Sequence, residues 1–326
     1  MTTDTQTITA AATTTGASCI GIAGTGLIGA SWAACFSAHG FSVRAWDPAD
    51  GAEGRLRAFL SQAQDDVPGA LPADQRGTVE FLDTLADMVT GCTLVLENAP
   101  EKEVVKIALL AELDHACAAD TIIASSTSSL LLSRIAATCP NKDRIIVAHP
   151  FNPPHLLPLV ELFGTHTDTV ARAAEQFRAC GKRPVILKKE MIGHIANRLT
   201  SALFREALYV LEQGVASAED IDACIADGPG LRWALMGPFM GYHLGGGLPS
   251  GDNPGGIEHY MKHLGPSQVK RWADHGTPDM SDDFVDQVID EVKAMAHGDS
   301  ITDMTERRDR MLKALLEIKA THSAKA

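Results

Sequence analysis

The chain is 326 residues long, 45% apolar and 21% charged, with a formal net charge of −13. That length accommodates two domains with separate cores, and the composition is that of a folded, water-soluble protein. The negative balance argues against nucleic acid or an anionic membrane surface as a partner, because each needs a basic face.

Residues 1–17 are rich in Thr and Ala, with neither a basic start nor an apolar stretch. They read as a disordered tail rather than a signal peptide. No run approaches the ~20 apolar residues of a membrane span. From Cys19 to about Lys189, short apolar runs alternate with longer amphipathic stretches, the pattern of βαβ units around a parallel sheet. Strands are expected at 19–23, 42–46, 93–97, 121–125, 144–148, 159–162 and 185–187. After residue 191 the strand pattern stops. One long helix is expected over 191–213, ending at Gly214, and Ser217 with Asp220 forms a variant capping box that opens the next. A glycine- and proline-rich loop covers 245–256, and a charged amphipathic helix covers 303–319. The predicted fold class is therefore α/β, a Rossmann-type domain over 18–190 followed by an all-α domain over 191–326. Seven cysteines without any CxxC pair suit free thiols in a reducing cytoplasm better than disulfides or a zinc site, and no metal is expected.

The first apolar run leads into Gly24-Thr25-Gly26-Leu27-Ile28-Gly29, and a helix is expected from Leu27 to His39, stopping at Gly40. These glycines permit a tight turn, close approach of a pyrophosphate and close helix–strand packing, while the helix N-terminus offers amide donors. A bare GxGxxG is weak evidence, since other α/β proteins carry glycine-rich turns. Here Asp47 also closes the second strand, 18 residues beyond Gly29. A carboxylate at that place accepts the ribose hydroxyls of NAD and repels the 2′-phosphate of NADP.

The run 149–161 reads HPFNPPHLLPLVE. His149 ends an apolar run, a double-proline turn follows, and a second apolar run ends on Glu161. If both runs are strands, the turn folds the carboxylate back towards the imidazole. A buried Glu beside a His fixes the ring's tautomer and stabilises imidazolium, which makes a proton acceptor for a hydroxyl. Combined with a dinucleotide, such a base spells alcohol oxidation. Ser128, just past the strand ending near Ser125, falls at the carboxyl edge where ligands collect in open α/β sheets.

Four blocks together, GTGLIG at 24–29, ENAPEKEVVK at 97–106, SSTSSL at 125–130 and HPFNPPHLLPLVE at 149–161, resemble the 3-hydroxyacyl-CoA dehydrogenase family. The likeness runs from Cys19 to the C-terminal helices. It implies His149 as general base with Glu161 as its partner, and Ser128 as a hydrogen-bond donor to the substrate oxygen. By the same resemblance, Asn197 of the NRL motif lies on the other side of the reacting carbon, and Glu101, Lys106 and Asn152 line the nicotinamide end. It further implies a homodimer formed through the helical domain. Where many members carry Pro-Gly-Phe, this chain has Ile192-Gly193-His194. His155 and His194 are read as non-catalytic.

The substrate reads differently from the family's name. From Asp47 to Ala99 the chain has no Lys, only Arg55, Arg57 and Arg76, and ten acidic residues. Such a surface repels the phosphates of coenzyme A. The segment from Gly230 to Phe239 is similar to that of L-carnitine dehydrogenases and, more loosely, of L-gulonate 3-dehydrogenase and lambda-crystallin. A free L-3-hydroxy acid needs a guanidinium for its carboxylate, and Arg232 is the candidate, with a surface role as the alternative. Trp233, Phe239 and Tyr242 cluster in a chain with only 5% aromatic residues. A cage for a quaternary ammonium and plain core packing account for them equally well. A short-chain 3-hydroxyacyl-CoA dehydrogenase and a non-catalytic crystallin-like protein stand as the alternative readings.

Overall fold

Strands of β-branched and small residues build the first unit. The computed structural model describes residues 18–322, so the tail expected at 1–17 lies outside the described residues. The chain divides into two units, with the boundary between Ile195 and Ala196. In the first, β1 (Cys19–Ala23), β2 (Ser42–Trp46), β3 (Val79–Phe81), β4 (Cys92–Glu97), β5 (Ile122–Ser125), β6 (Ile145–Pro150), β7 (Leu159–Phe163) and β8 (Arg183–Ile186) form one sheet. Its order is β3-β2-β1-β4-β5-β6-β7-β8. Every neighbouring pair is parallel except β6 with β7, which is antiparallel.

Alternate residues of each central strand serve opposite faces. Leu94, Leu96, Ile122, Ala124, Ile146 and Ala148 join one core, while Val95, Ile123, Ile145 and Val147 join the other. Both faces are covered, which is why these strands read as continuous apolar runs rather than alternating ones. The first core is closed by α1 (Leu27–Ala38) and α6 (Thr167–Ala179). Their Trp32 and Phe177 rings meet at 5.3 Å, and the buried Phe36 lies 5.9 Å from each. The second core takes Leu110 and Leu113 from α4 (Glu103–Ala116), together with α3 (Leu85–Val89) and α5 (Leu132–Ile135). Helix α2 (Ala52–Ala63) packs Leu56 and Leu60 onto the first core. Because strand order reverses between β1 and β4, a crevice opens beyond their carboxyl ends, the position where such sheets bind ligands.

Two expectations change here. Strand β3, at the sheet edge, adds to the strands expected from the sequence: its three residues, Val79, Glu80 and Phe81, are too few and too exposed to leave a pattern. The long helix begins at Ala196 and not at 191, because Gly193 and His194 adopt φ of +75° and +50°, values that no right-handed helix contains.

The second unit is helical. It comprises α7 (Ala196–Glu212), α8 (Ala218–Ala226), α9 (Pro229–Trp233), α10 (Pro238–Gly245), α11 (Gly256–His259), a π-helical turn Tyr260–Leu264, α12 (Gly265–Asp274), α13 (Asp282–Met295) and α14 (Ile301–His322). Among its described residues the only strand-like pairing is an isolated bridge between Ser250 and Asn253. Ser217 caps α8 by accepting the Asp220 amide at 3.1 Å. The apolar core of this unit is small: Leu208, Leu211 and Phe284 are its buried hydrophobic residues among those described. Leu199, Phe204, Val269 and Trp272 are more than half exposed. No helix among the described residues is long and apolar enough to cross a membrane.

Candidate active site

The loop between β1 and α1 is shaped for a phosphate group. Gly24 sits at φ +89°, and a Cβ on Gly29 would fall 1.9 Å from the Gly24 carbonyl oxygen, so neither position admits a side chain. A Cβ on Gly26 would meet nothing within 4 Å. Gly26 is also the N-cap of α1, and no side chain caps that helix end. The orphan amides and positive dipole end at Gly26, Leu27 and Ile28 therefore face open space, as a dinucleotide's pyrophosphate requires. Asp47 stands beside this loop at the end of β2. Its Oδ2 accepts the Thr25 amide at 2.7 Å and the Thr25 hydroxyl at 3.2 Å, and its Oδ1 accepts the Ala49 amide at 2.9 Å. These bonds fix the carboxylate at the rim of the cradle.

Further along the sheet edge, His149 and Glu161 are directly opposed in the antiparallel register of β6 and β7. His149 Nδ1 donates to Glu161 Oε2 at 2.9 Å, with both residues buried. A carboxylate only accepts, so the proton lies on Nδ1, and the neutral form of the ring has its lone pair on Nε2. The second carboxylate oxygen, Oε1, accepts the Ile195 amide at 2.8 Å, which prevents Glu161 from swinging away.

Ser128 lies in the loop after β5, and Glu101 organises that loop. Glu101 Oε1 accepts the Thr127 hydroxyl at 2.7 Å, the Ser128 amide at 2.9 Å and hydroxyl at 3.2 Å, and the Ser129 amide at 3.0 Å and hydroxyl at 3.1 Å. Burial raises the Glu101 pKa, but the Thr127 hydrogen bond, the Lys106 charge and the Ser129 contacts outweigh it and leave it below the usual value. Lys106, expected at the nicotinamide end, is buried beneath Glu101. It is 1% exposed and donates to both oxygens of the fully buried Glu97 at 2.9 and 3.1 Å and to the Ala99 carbonyl at 3.0 Å, with Glu101 Oε2 at 3.6 Å. Glu97 in turn accepts the Ser125 hydroxyl at 2.5 Å. Lys106 thus supports the Glu101 loop from beneath. Asn152 is exposed, three residues past His149, and precedes the cis bond to Pro153.

His194, read from sequence as non-catalytic, lies against the dyad. Its ring centroid is 4.9 Å from that of His149, and its Nε2 donates to the Thr127 carbonyl at 3.0 Å. The sequence signal for it is the departure at His194, where many family members carry Phe. His155 contacts Ser31 Oγ at 3.3 Å and the Phe59 ring at 5.5 Å, away from the dyad's hydrogen bonds.

In the second unit, Asn197 is half-buried in the first turn of α7. Arg232 and Trp233 line a cavity of about 230 Å³ with Tyr242, Tyr260, Pro229 and Pro238. The Tyr242 and Tyr260 rings are 4.6 Å apart. Tyr260 is an addition to the residues expected from sequence, because it comes from the π-helical turn and carries no periodic signal. Phe239 is 84% exposed and stands outside this lining. Helix breaks at Met236-Gly237 let Trp233 and Tyr242 share one cavity although they are on different helices.

The model of the 3-hydroxyacyl-CoA dehydrogenase NAD-binding domain matches residues 19–191, and that of the family's C-terminal domain matches residues 193–275. The chain belongs to the 3-hydroxyacyl-CoA dehydrogenase family. It is an NAD-dependent oxidoreductase acting on CH–OH groups. The dehydrogenase is 37% identical over 302 residues to an L-carnitine dehydrogenase of Bacillus cereus, covering 91% of each chain. It is 40% identical over 292 residues to an L-carnitine dehydrogenase of Streptomyces coelicolor, covering 88% of this chain and 90% of that one. Among solved structures it resembles 5-formyl-3-hydroxy-2-methylpyridine 4-carboxylic acid 5-dehydrogenase, described as an NAD+-dependent dismutase. There the TM-score is 0.78 at 30% identity, over 92% of this chain and 97% of that one.

Proposed function

We propose that the dehydrogenase oxidises the 3-hydroxyl of a small free L-3-hydroxy acid to the 3-keto acid, L-carnitine first and L-gulonate second among candidates. The observation that carries the reading is the register pair of His149 and Glu161 at 2.9 Å. His149 Nε2 takes the hydroxyl proton, and Glu161 stabilises the imidazolium formed. NAD, when bound, accepts the hydride from the carbinol carbon. Ser128, whose amide Glu101 holds, turns its hydroxyl from Glu101 to the substrate oxygen, and Asn197 keeps the role beside the reacting carbon that the family resemblance gives it. We assign the pyrophosphate to the amides at Gly26, Leu27, Ile28 and Gly29, with Gly24, whose own amide is bonded to the Trp46 carbonyl, shaping the turn, and the ribose to Asp47. Glu101, Lys106 and Asn152 belong to the nicotinamide end, with Lys106 supporting Glu101.

For the substrate, Arg232 is the carboxylate anchor and Trp233 an apolar wall. Among the described residues the Arg232 guanidinium makes no hydrogen bond or ion pair, so it is available to an anion. Trp233, Tyr242 and Tyr260 offer aromatic faces of the kind that bind quaternary ammonium groups. Acyl-CoA is disfavoured by the three arginines between Asp47 and Ala99. Arg55 donates to the Asp50 carbonyl, Arg57 pairs with Glu53 at 2.6 Å and Arg76 with Asp65 at 2.8 Å, so each is already engaged. NADH formation by the purified protein with L-carnitine, L-gulonate, L-3-hydroxybutyrate and its CoA ester tests this reading. It expects turnover of a free acid. Turnover of the CoA ester alone would replace it with a 3-hydroxyacyl-CoA dehydrogenase, and no turnover of any of the four would remove the free-acid reading.

Cofactor choice should follow Asp47. NAD is expected to be preferred over NADP by about tenfold or more, and Asp47→Ala should raise the NAD KM and narrow that preference. Equal use of both cofactors by the unmodified enzyme would remove the ribose role from Asp47.

We further propose that the enzyme is a homodimer through its helical unit. Leu199, Phe204, Val269 and Trp272 are 58–62% exposed on a unit with so small a core of its own, and a second copy is the surface that buries them. Light scattering at micromolar concentration should report twice the 34.7 kDa chain mass, and a monomer there would contradict it.

A further inference from the structure

We propose that His194 is a positioning residue that fastens the Ser128 loop to the His149–Glu161 pair. Its consequence for turnover rests on the function proposed above. Three contacts converge on two consecutive residues. His194 Nε2 donates to the Thr127 carbonyl at 3.0 Å, one residue before Ser128. The His194 ring lies 4.9 Å from that of His149 at an interplanar angle of 38°. The Ile195 amide donates to Glu161 Oε1 at 2.8 Å. One short turn therefore grips the loop that presents Ser128, the base and the base's carboxylate.

The backbone conformation fits that role. His194 holds φ +50°, sparsely populated for any residue with a side chain, directly after Gly193 at +75°. A conformation of this kind persists when the surrounding contacts over-determine it. His194 is only 3% exposed, so its bond to Thr127 is made where water does not compete. Burial pushes its pKa below the ordinary value, and the His149 charge adds to this. The Thr127 carbonyl, Glu161 and Glu101 oppose it without reversing it. The Thr127 contact requires a proton on Nε2, and in the neutral ring that burial favours this is the Nε2–H tautomer. Glu101 pulls the loop through Thr127 Oγ1, Ser128 and Ser129 from one side, and His194 ties it from the other. The phenyl ring that many family members carry here would fill similar space and supply no donor.

The test uses His194→Phe and His194→Gln in the full-length protein, with two readouts. Gln keeps an amide donor near the Nε2 position, and both variants carry the same positive-φ cost, so their difference isolates the hydrogen bond. In the unmodified, substrate-free protein, ¹⁵N NMR of the imidazoles should show His194 as the neutral Nε2–H tautomer through the range near pH 6.5 where exposed histidines titrate. His194→Phe should shift the His149 resonances, and His194→Gln should shift them less. With a free hydroxy acid, His194→Phe should lose about 10-fold or more in kcat, as small misplacements of reacting groups do, with the NAD KM unchanged. His194→Gln should recover most of it. An Nδ1–H tautomer, His149 resonances unmoved by His194→Phe, or equal loss in both variants would overturn the proposal. If the unmodified protein oxidises no hydroxy acid, the function proposed above fails, while the NMR comparison still decides the role of His194.

Discussion

Replacing His149 with Ala is expected to lower kcat by about 100-fold or more while leaving NAD binding nearly unchanged, the usual scale for loss of a general base. The expectation comes from geometry. The imidazole is buried, its Nδ1 is committed to Glu161 at 2.9 Å, and the carboxylate is anchored through its other oxygen by the Ile195 amide. That tautomer leaves on Nε2 the lone pair that a hydroxyl proton needs. Glu161→Gln should also slow turnover, because an amide stabilises imidazolium less than a carboxylate. The acid limb of the pH–rate profile should then move to lower pH. Steady-state kinetics over a pH series checks both variants. A wild-type kcat in the His149→Ala enzyme would mean that the proton leaves by another group.

Arg232→Met is expected to cost roughly 30- to 1000-fold in kcat/KM for a free hydroxy acid, the scale of a lost charge-assisted bidentate contact. NAD binding should stay near its original strength, since none of the residues assigned to the cofactor lines the Arg232 cavity. Methionine retains an aliphatic stem, so a role limited to packing beside Trp233 and Tyr242 would give a much smaller loss. Kinetics on a free acid and on its CoA thioester separate the two cases. If free acids are inert and the thioester is turned over at an unchanged rate by the variant, Arg232 is not a carboxylate anchor.

The legible parts of this protein are those where local pattern and long-range contact agree. His149 and Glu161 can be paired on paper because two apolar runs joined by a proline turn fold back on each other, and β6 and β7 do so in that register. The glycines at 24 and 29 are readable because their backbone geometry excludes side chains. Lys106 is also placed within the first unit's core by periodicity. It stands four and seven residues before Leu110 and Leu113, on the helix face that is buried. His194 carries little signal in the sequence because its importance comes from a positive φ and from contacts with Thr127 and His149 made across 67 and 45 positions of chain. Tyr260 joins Tyr242 only through the packing of a π-helical turn, which no periodic pattern announces.

The most direct measurement is the fate of a deuterium at C3. L-Carnitine deuterated at C3 would be incubated with NAD and the unmodified enzyme, and the NADH formed examined by NMR and mass spectrometry. The account predicts NADH carrying the label together with 3-keto acid in equal amount, and neither product from the His149→Ala enzyme on the same timescale. Unlabelled NADH, or label transfer at an undiminished rate without His149, would contradict it.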